Sequence, residues 1–283
     1  MTKFRRILMG LALGVFSIAL SACGTFITSY ANADKYVAGT QYYEGELKKL
    51  DISWISGSIT LIEDETASEI TVKEDNNLDE AKKVHSYFND GTLSIKYCKS
   101  GLGFQRFFAE DKQLSVTFPS LENLVVSLTS GRLNIEKLNA KSLAISVTSG
   151  TVEIGQAEVE TTSKISATSG KLIIGSYTTE KFTLSMTSGS ATIDELSTDE
   201  AKFEFTSGKL TAKLKQANKV DVDITSGTID LTIPEAGATV KIDKTSGSFS
   251  SDREHTSNKN VYTFGDGSCK VDIDMTSGKI IIR

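Results

Sequence analysis

Histidine, proline and tryptophan are nearly missing from this chain: 2 His, 2 Pro and 1 Trp among 283 residues. Neither His85 nor His255 has a partner at the spacing of a zinc site or a catalytic triad. No glycine-rich phosphate loop opens a helix. The many serines recur along the chain instead of marking one site beside a base, as a nucleophile requires. These gaps argue against the common enzyme classes, and no catalytic residue, metal site or cofactor is expected. Long apolar runs are scarce too. The one at residues 7–20 is shorter than the ~20 residues of a spanning helix.

That apolar run follows a basic start, Lys3, Arg5 and Arg6, and precedes Leu20-Ser21-Ala22-Cys23. A basic segment, an apolar segment and small residues before a cut describe an export signal over residues 1–22. Leu-Ser-Ala-Cys resembles the lipobox of bacterial lipoproteins. The resemblance implies that the Cys23 thiol receives a diacylglycerol and that cleavage leaves it as the new N-terminus. The protein would then be exported and held by lipid at the outer face of the bacterial cell membrane, since two or more acyl chains anchor stably. Loss of three cations with the signal leaves 28 Lys and Arg against 36 Asp and Glu, a net charge of −8. Such a surface disfavours nucleic acid as a partner. Residues 24–44 are polar and show no alternation, so residues 23–44 read as the lipidated cysteine and a flexible tether with a reach of ~25 Å.

The remaining 45–283 segment is built on a repeat. Thr-Ser-Gly begins at Thr129, Thr148, Thr168, Thr187, Thr206, Thr225, Thr245 and Thr276, at intervals of 19, 20, 19, 19, 19, 20 and 31. Apolar residues alternate before each triplet, as in Leu124, Val126, Leu128, and after it, as in Leu133, Ile135. Period two belongs to strands with one buried face. The phase slips by one residue across the triplet, so each triplet marks a corner. Gly takes a positive φ there, Ser fills the corner, and Thr faces outward. Weaker copies occur at Ile52, Trp54, Ser56-Gly57, Ile59, and at Leu114, Val116, Phe118, ended by Pro119; Asn89-Asp90-Gly91 reads as a turn. One repeat cannot bury its own apolar face, so neighbours must stack. The expected fold is all-β, a single-stranded β-solenoid of about ten rungs; the competing form is a sandwich of antiparallel hairpins. Within this phase Cys98 points outward and Cys269 inward, so the two are not expected to pair.

Outward positions carry the candidate chemistry. Two residues before each Thr stand Ser127, Ser146, Ser166 and Ser185, then Glu204, Asp223, Asp243 and Asp274. With Thr129, Thr148, Thr168 and Thr187, the serines form a two-column hydroxyl array with ~4.8 Å between rungs. It suits contact with a glycan or ordered water; the alternative is ordinary strand preference for Thr and Ser. The acidic half admits a calcium ion on paper, but a solvated face relieved by Lys241 explains it better. Two segments interrupt the period. Residues 98–113 hold Phe104, Arg106, Phe107 and Phe108, and residues 252–268 hold Tyr262 and Phe264. They read either as ligand contacts or as covers for an open end.

Taken together, these residues resemble a family of bacterial β-strand-repeat proteins of unknown function described as adhesins. Matching segments are Trp54-Ile55-Ser56-Gly57, Gly91-Thr92-Leu93-Ser94-Ile95, Val116-Thr117-Phe118-Pro119, the Ser-Gly series, and Ser277-Gly278-Lys279-Ile280. The resemblance covers roughly residues 45–283. It implies an adhesin-like, non-enzymatic binding module with a glycan or protein ligand at the cell surface. An accessory role in a membrane stress-signalling system is the second implication. Replacing Cys23→Ala should move the protein from the detergent phase to the aqueous phase on Triton X-114 partitioning; a variant that stays in detergent places the anchor elsewhere.

Overall fold

The computed structural model describes residues 29–75, 78–101 and 112–283. The export signal, Cys23 and the run containing Phe104, Arg106, Phe107 and Phe108 lie outside the described residues. Among the described residues sixteen strands form one mixed sheet. The first eight are β1 (Val37–Ala38), β2 (Gln41–Tyr43), β3 (Lys49–Trp54), β4 (Ser58–Glu63), β5 (Ile70–Glu74), β6 (His85–Asn89), β7 (Thr92–Lys96) and β8 (Gln113–Phe118). Then come β9 (Asn123–Leu128), the 55-residue β10 (Arg132–Met186) and the 43-residue β11 (Ser190–Thr232). The last are β12 (Gly237–Lys244), β13 (Ser248–Ser251), β14 (Thr256–Asn258), β15 (Val261–Gly265) and β16 (Cys269–Ile282). Among the described residues the helical content is a single 3-10 turn, Ala33–Lys35. The fold is an all-β, strand-rich repeat.

Alternation dictates the core. In β3 the side chains of Leu50, Ile52 and Trp54 are buried, and Leu124, Val126 and Leu128 do the same in β9. Parallel pairing lays like on like: Leu143 on Leu124, Ile145 on Val126, Val147 on Leu128. Each fully buried Leu, Ile, Val or Phe contributes about 1.5–3 kcal/mol relative to exposure, so the core grows with every layer added. Ser163 interrupts one apolar column. Tyr177 repairs it by donating to Ser163 Oγ at 2.8 Å, and burial pushes the Tyr177 phenol well above its ordinary pKa.

The repeat period has a direct structural cause. Nine glycines stack in one column, in the order Gly57, Gly131, Gly150, Gly170, Gly189, Gly208, Gly227, Gly278, Gly247. Their φ values lie between +94° and +152°. A Cβ added to any of them would sit 1.9–2.3 Å from a carbonyl oxygen of the neighbouring layer. Under Gly57 that oxygen belongs to Lys112, which begins the column. The Lys112 side chain is fully buried. Its ammonium donates to the carbonyls of Lys82 and Tyr97, lies 4.3 Å from the Tyr97 ring centroid, and meets Glu74 Oε1 at 2.7 Å. Glu74 Oε2 accepts from the Val84 amide at 2.9 Å, so both charges are compensated inside the end of the stack.

Chain order and spatial order part company at both ends. β3 lies between β7 and β9, and β4 lies between β8 and β10, so the first layer in sequence is the second in space. At the other end β16 lies between β11 and the pair β12 and β13. The 31-residue interval exists because the chain must pass over the layer 238–251 and return. Residues 252–268, read from sequence as an irregular insertion, supply the antiparallel strands β14 and β15, which cover the free edge of β12. Asn89-Asp90-Gly91 makes the expected turn: β6 and β7 pair antiparallel, with φ +48° at Asp90 and +74° at Gly91.

Three expectations are corrected. The serine of the triplet does not fill an inner corner. Ser130, Ser149, Ser169, Ser188 and Ser207 are exposed, and it is their backbone that bonds the neighbouring layer, as in Ser149 N to Thr129 O at 2.8 Å. Cys98 is buried, not outward, because β7 ends at Lys96 and the chain turns so that Tyr97 and Cys98 both enter the core end. Cys98 and Cys269 do not bond to each other. From Tyr30 onward the expected tether is docked on the body. β1 pairs with β6 and β2 with β5, while Tyr30 donates to Cys98 O at 3.0 Å and stacks 4.7 Å from Tyr36. The aromatic and backbone bonds of residues 30–43 offset the entropy that a free segment would keep. Asp79 accepts from the Lys82 and Lys83 amides in one polar turn.

The glycine column gives a sharp expectation. Gly189→Ala places a Cβ 2.1 Å from Gly170 O at φ +119° and should destabilise by roughly 3 kcal/mol or more, combining backbone strain with displacement of a neighbouring layer. Ser188→Ala next to it, on an exposed side chain, should stay within about 0.5 kcal/mol. Urea unfolding of the two variants measures both.

Candidate binding face

The backbone that carries the glycine column also fixes what faces outward. Because pairing is parallel and in register, the residue two before each Thr falls on one straight line. Ser53 pairs with Lys96 on one side and Ser127 on the other, and Ser127 pairs with Ser146. Ser185 pairs with Glu204; farther along, Asp223 pairs with Asp274 and Asp274 with Asp243. Sequence order alone places Asp243 before Asp274; the returning last strand reverses them. Ser53 is the member that the Thr-Ser-Gly search overlooks. Its signal was present, since it stands two residues before Ile55, the residue in the Thr position ahead of Ser56-Gly57.

The hydroxyl half is accessible. Ser146, Thr148, Thr168 and Thr187 are exposed, and Ser127, Thr129, Ser166 and Ser185 are half-buried. It is bounded by charge at both ends. Lys96 Nζ donates to Ser53 Oγ at 2.9 Å, and Ser185 Oγ donates to Glu204 Oε2 at 2.7 Å. Between these bounds lie neutral hydroxyls on a regular backbone, able both to donate and to accept.

In the acidic half, lysines two residues upstream on the same strand face meet their acids. Lys202 lies 2.6 Å from Glu204, Lys219 2.6 Å from Asp221 and Lys241 2.5 Å from Asp243. Asp243 is held below its ordinary pKa by the Lys241 hydrogen bond; Glu204 is also lowered, the bonds from Lys202 and Ser185 outweighing burial. Asp223 and Asp274 are raised, first by burial and then by the neighbouring carboxylates, Asp274 for Asp223 and Asp243 for Asp274. Among the described residues no group of three or more His, Cys, Asp or Glu side chains is arranged to hold a metal ion. Lysines relieve the ladder at Glu204, Asp221 and Asp243, while Asp223 and Asp274 face neighbouring carboxylates.

The candidates of residues 252–268 divide. Phe264 is fully buried, so it is withdrawn as a ligand contact: β15 turns it into the core beneath β12. Tyr262 is half-buried and packs 4.4 Å from Phe249 and 5.6 Å from His255, which also contact each other at 6.3 Å. Arg253 caps the Pro234 and Glu235 carbonyls at 3.0 and 3.2 Å. These contacts make the segment a cover for the end layer. His85 is buried; its Nδ1 lies 2.9 Å from Lys83 O and burial lowers its pKa.

The family described as Toastrack DUF4097 matches residues 47–283. A search among curated proteins finds no match. Similar solved structures include a "putative adhesin" from Bacteroides fragilis, 13% identical, covering 86% of this chain and 96% of that one, with a TM-score of 0.46. Another is a "putative adhesin" from Parabacteroides merdae, 13% identical, covering 87% and 96%, with a TM-score of 0.48. A third is a "putative lipid binding protein" from Parabacteroides distasonis, 17% identical, covering 87% and 97%, with a TM-score of 0.47.

The raised carboxylates have a pH signature. Asp223 and Asp274 hold protons more tightly folded than unfolded, so through the window above the ordinary carboxylate value of 3.8 they lower stability as pH rises. Asp274→Asn should therefore raise the melting temperature at neutral pH, and the gain should close as pH falls to about 4. Glu204 and Asp243 titrate in the opposite sense, so the wild-type-minus-variant difference, followed by thermal melts across pH, is the quantity to measure.

Proposed function

The chain belongs to the Toastrack DUF4097 family, and from that premise we propose that it is a non-enzymatic, adhesin-like binding module displayed from a lipid anchor outside the bacterial cell membrane. The fold reading that goes with it is a β-solenoid of about ten turns, roughly 45–50 Å long at ~4.8 Å per strand. Parallel layers whose corners stack glycine on glycine support that reading. The anchor reading rests on Leu20-Ser21-Ala22-Cys23 and the preceding basic and apolar segments.

One observation carries the binding role: the exposed and half-buried hydroxyl columns lie on a regular surface bounded by Lys96 and Glu204. Repeating donors and acceptors at a fixed spacing match polymers of repeating hydroxyl groups, so a surface glycan is the ligand class we favour. Each contact is weak, on the order of 1 kcal/mol, and several in register add up. A neutral array also avoids the repulsion that the acidic half would exert on anionic polymers.

Changing Thr148, Thr168 and Thr187 together to Val keeps strand preference and shape while removing three hydroxyls. The triple variant should lose glycan-array binding and cell adhesion with an unchanged melting temperature. Adhesion equal to wild type in the folded variant sinks the hydroxyl-array assignment.

A further inference from the structure

The N-terminal end of the stack presents a surface that the hydroxyl columns do not explain. Two short strands close this end, β1 beyond β6 and β2 beyond β5. Each displays one large apolar side chain, Val37 at 50% and Tyr42 at 58% exposure. Among the described residues the remaining large apolar side chain so exposed is Ile62, at 42%, on β4, which pairs with β8 at the same end. Residues 123–283 contribute none. Beside this surface Tyr30, Tyr36 and Tyr87 stack in sequence with ring centroids 4.7 and 5.6 Å apart. Tyrosine, with an apolar ring and a polar tip, is the residue type that settles at the boundary between lipid and water.

Chain length says what covers this end. Tyr30 stands seven positions after Cys23. Tyr30 is fixed to the body through Cys98 O and the Ser100 amide, at 3.0 and 3.1 Å. Fully extended, seven residues span at most ~25 Å. The docking of residues 30–43 thus removes most of the tether, and the exposed apolar end cannot stand far from an acylated Cys23. At the opposite end, Asp221, Asp223, Asp272, Asp274 and Asp243 form the acidic ladder, which an anionic bilayer repels.

We propose that the N-terminal end of the stack docks on the bilayer surface into which the Cys23 acyl chains insert, with Tyr42 and Val37 at headgroup level and the hydroxyl columns running outward from the membrane. The proposal rests on the lipid-anchor reading given above. Its occupant is the lipid surface itself, and its consequence is a fixed orientation in place of a body swinging on a tether.

The test uses the mature lipidated chain in vesicles of phosphatidylcholine and phosphatidylglycerol. A bimane reporter is placed at Thr40→Cys, between β1 and β2, or at Ser257→Cys on β14; Cys98 and Cys269 are buried and compete poorly for the label. Lipids with nitroxide headgroups should quench the residue 40 reporter severalfold more than the residue 257 reporter. Val37→Ser with Tyr42→Ser should abolish that difference while the protein still floats with the vesicles. Equal quenching at the two sites in floating wild type overturns the docking and leaves the anchor standing. A photo-cross-linker at Tyr42 that captures a second copy instead of lipid also overturns it, in favour of self-association. Failure of the wild-type chain to float removes the anchor reading, and the docking with it.

Discussion

At the Thr-Ser-Gly corner backbone touches backbone from one layer to the next, and the rest of the structure is arranged around that contact. At the glycine corner each Cα lies so near the neighbouring layer's carbonyl that a methyl group would overlap it, with 1.9–2.3 Å left for a Cβ. The same glycines adopt φ values that side chains rarely tolerate. Close approach lets the strands before and after each corner remain paired in parallel with the layer beneath. Register therefore holds through the bend, and side chains of one position stack on those of the same position. Apolar columns inside and hydroxyl or charged columns outside are two results of one constraint.

A stack of strands has two ends, and exposed strand edges invite unwanted pairing. Here both ends are closed by the same device. The terminal layer in sequence is tucked one position inward, and a non-terminal layer lies outside it, covered in turn by short antiparallel strands. Lys112 and Glu74 fill the N-terminal end, where the glycine column has run out, and the aromatic contacts of Phe249, His255 and Tyr262 shield the C-terminal one. A buried ion pair is a costly filler, tolerated because its remaining bonds go to main-chain groups. On the sides of the stack, in contrast, the hydroxyl and charged columns stay exposed or half-buried among the described residues.

The outer columns were largely legible before the structure. The line Ser127, Ser146, Ser166, Ser185, Glu204, Asp223 follows from counting back from each triplet, since period-two alternation tells inside from outside. Ser53 and Lys96 extend that line, but their layers lack the Thr-Ser-Gly marker, and only pairing brings them to it. Phe264 shows the converse failure. An aromatic residue in an irregular segment looks like a contact residue, yet antiparallel pairing with β12 turns it into the core. Cys98 fails for a related reason: alternation is informative only while the strand lasts, and β7 ends two residues earlier.

By itself the sequence determined the strands, the period, the inward and outward faces and the place of each corner. These depend on neighbours two to twenty residues apart, and the pattern of apolar residues and glycines records them. The serine of the triplet went astray even at that range, because a one-residue slip does not say which residue turns in; the backbone shows serine turned out and glycine absorbing the bend. Only the tertiary structure decided which layer lies on which at the two ends, and that residues 30–43 belong to the body. Those choices join segments such as β3 and β9, or β11 and β16, with similar alternating patterns. Any such pair could stack; the choice among them comes from covering both open ends at once.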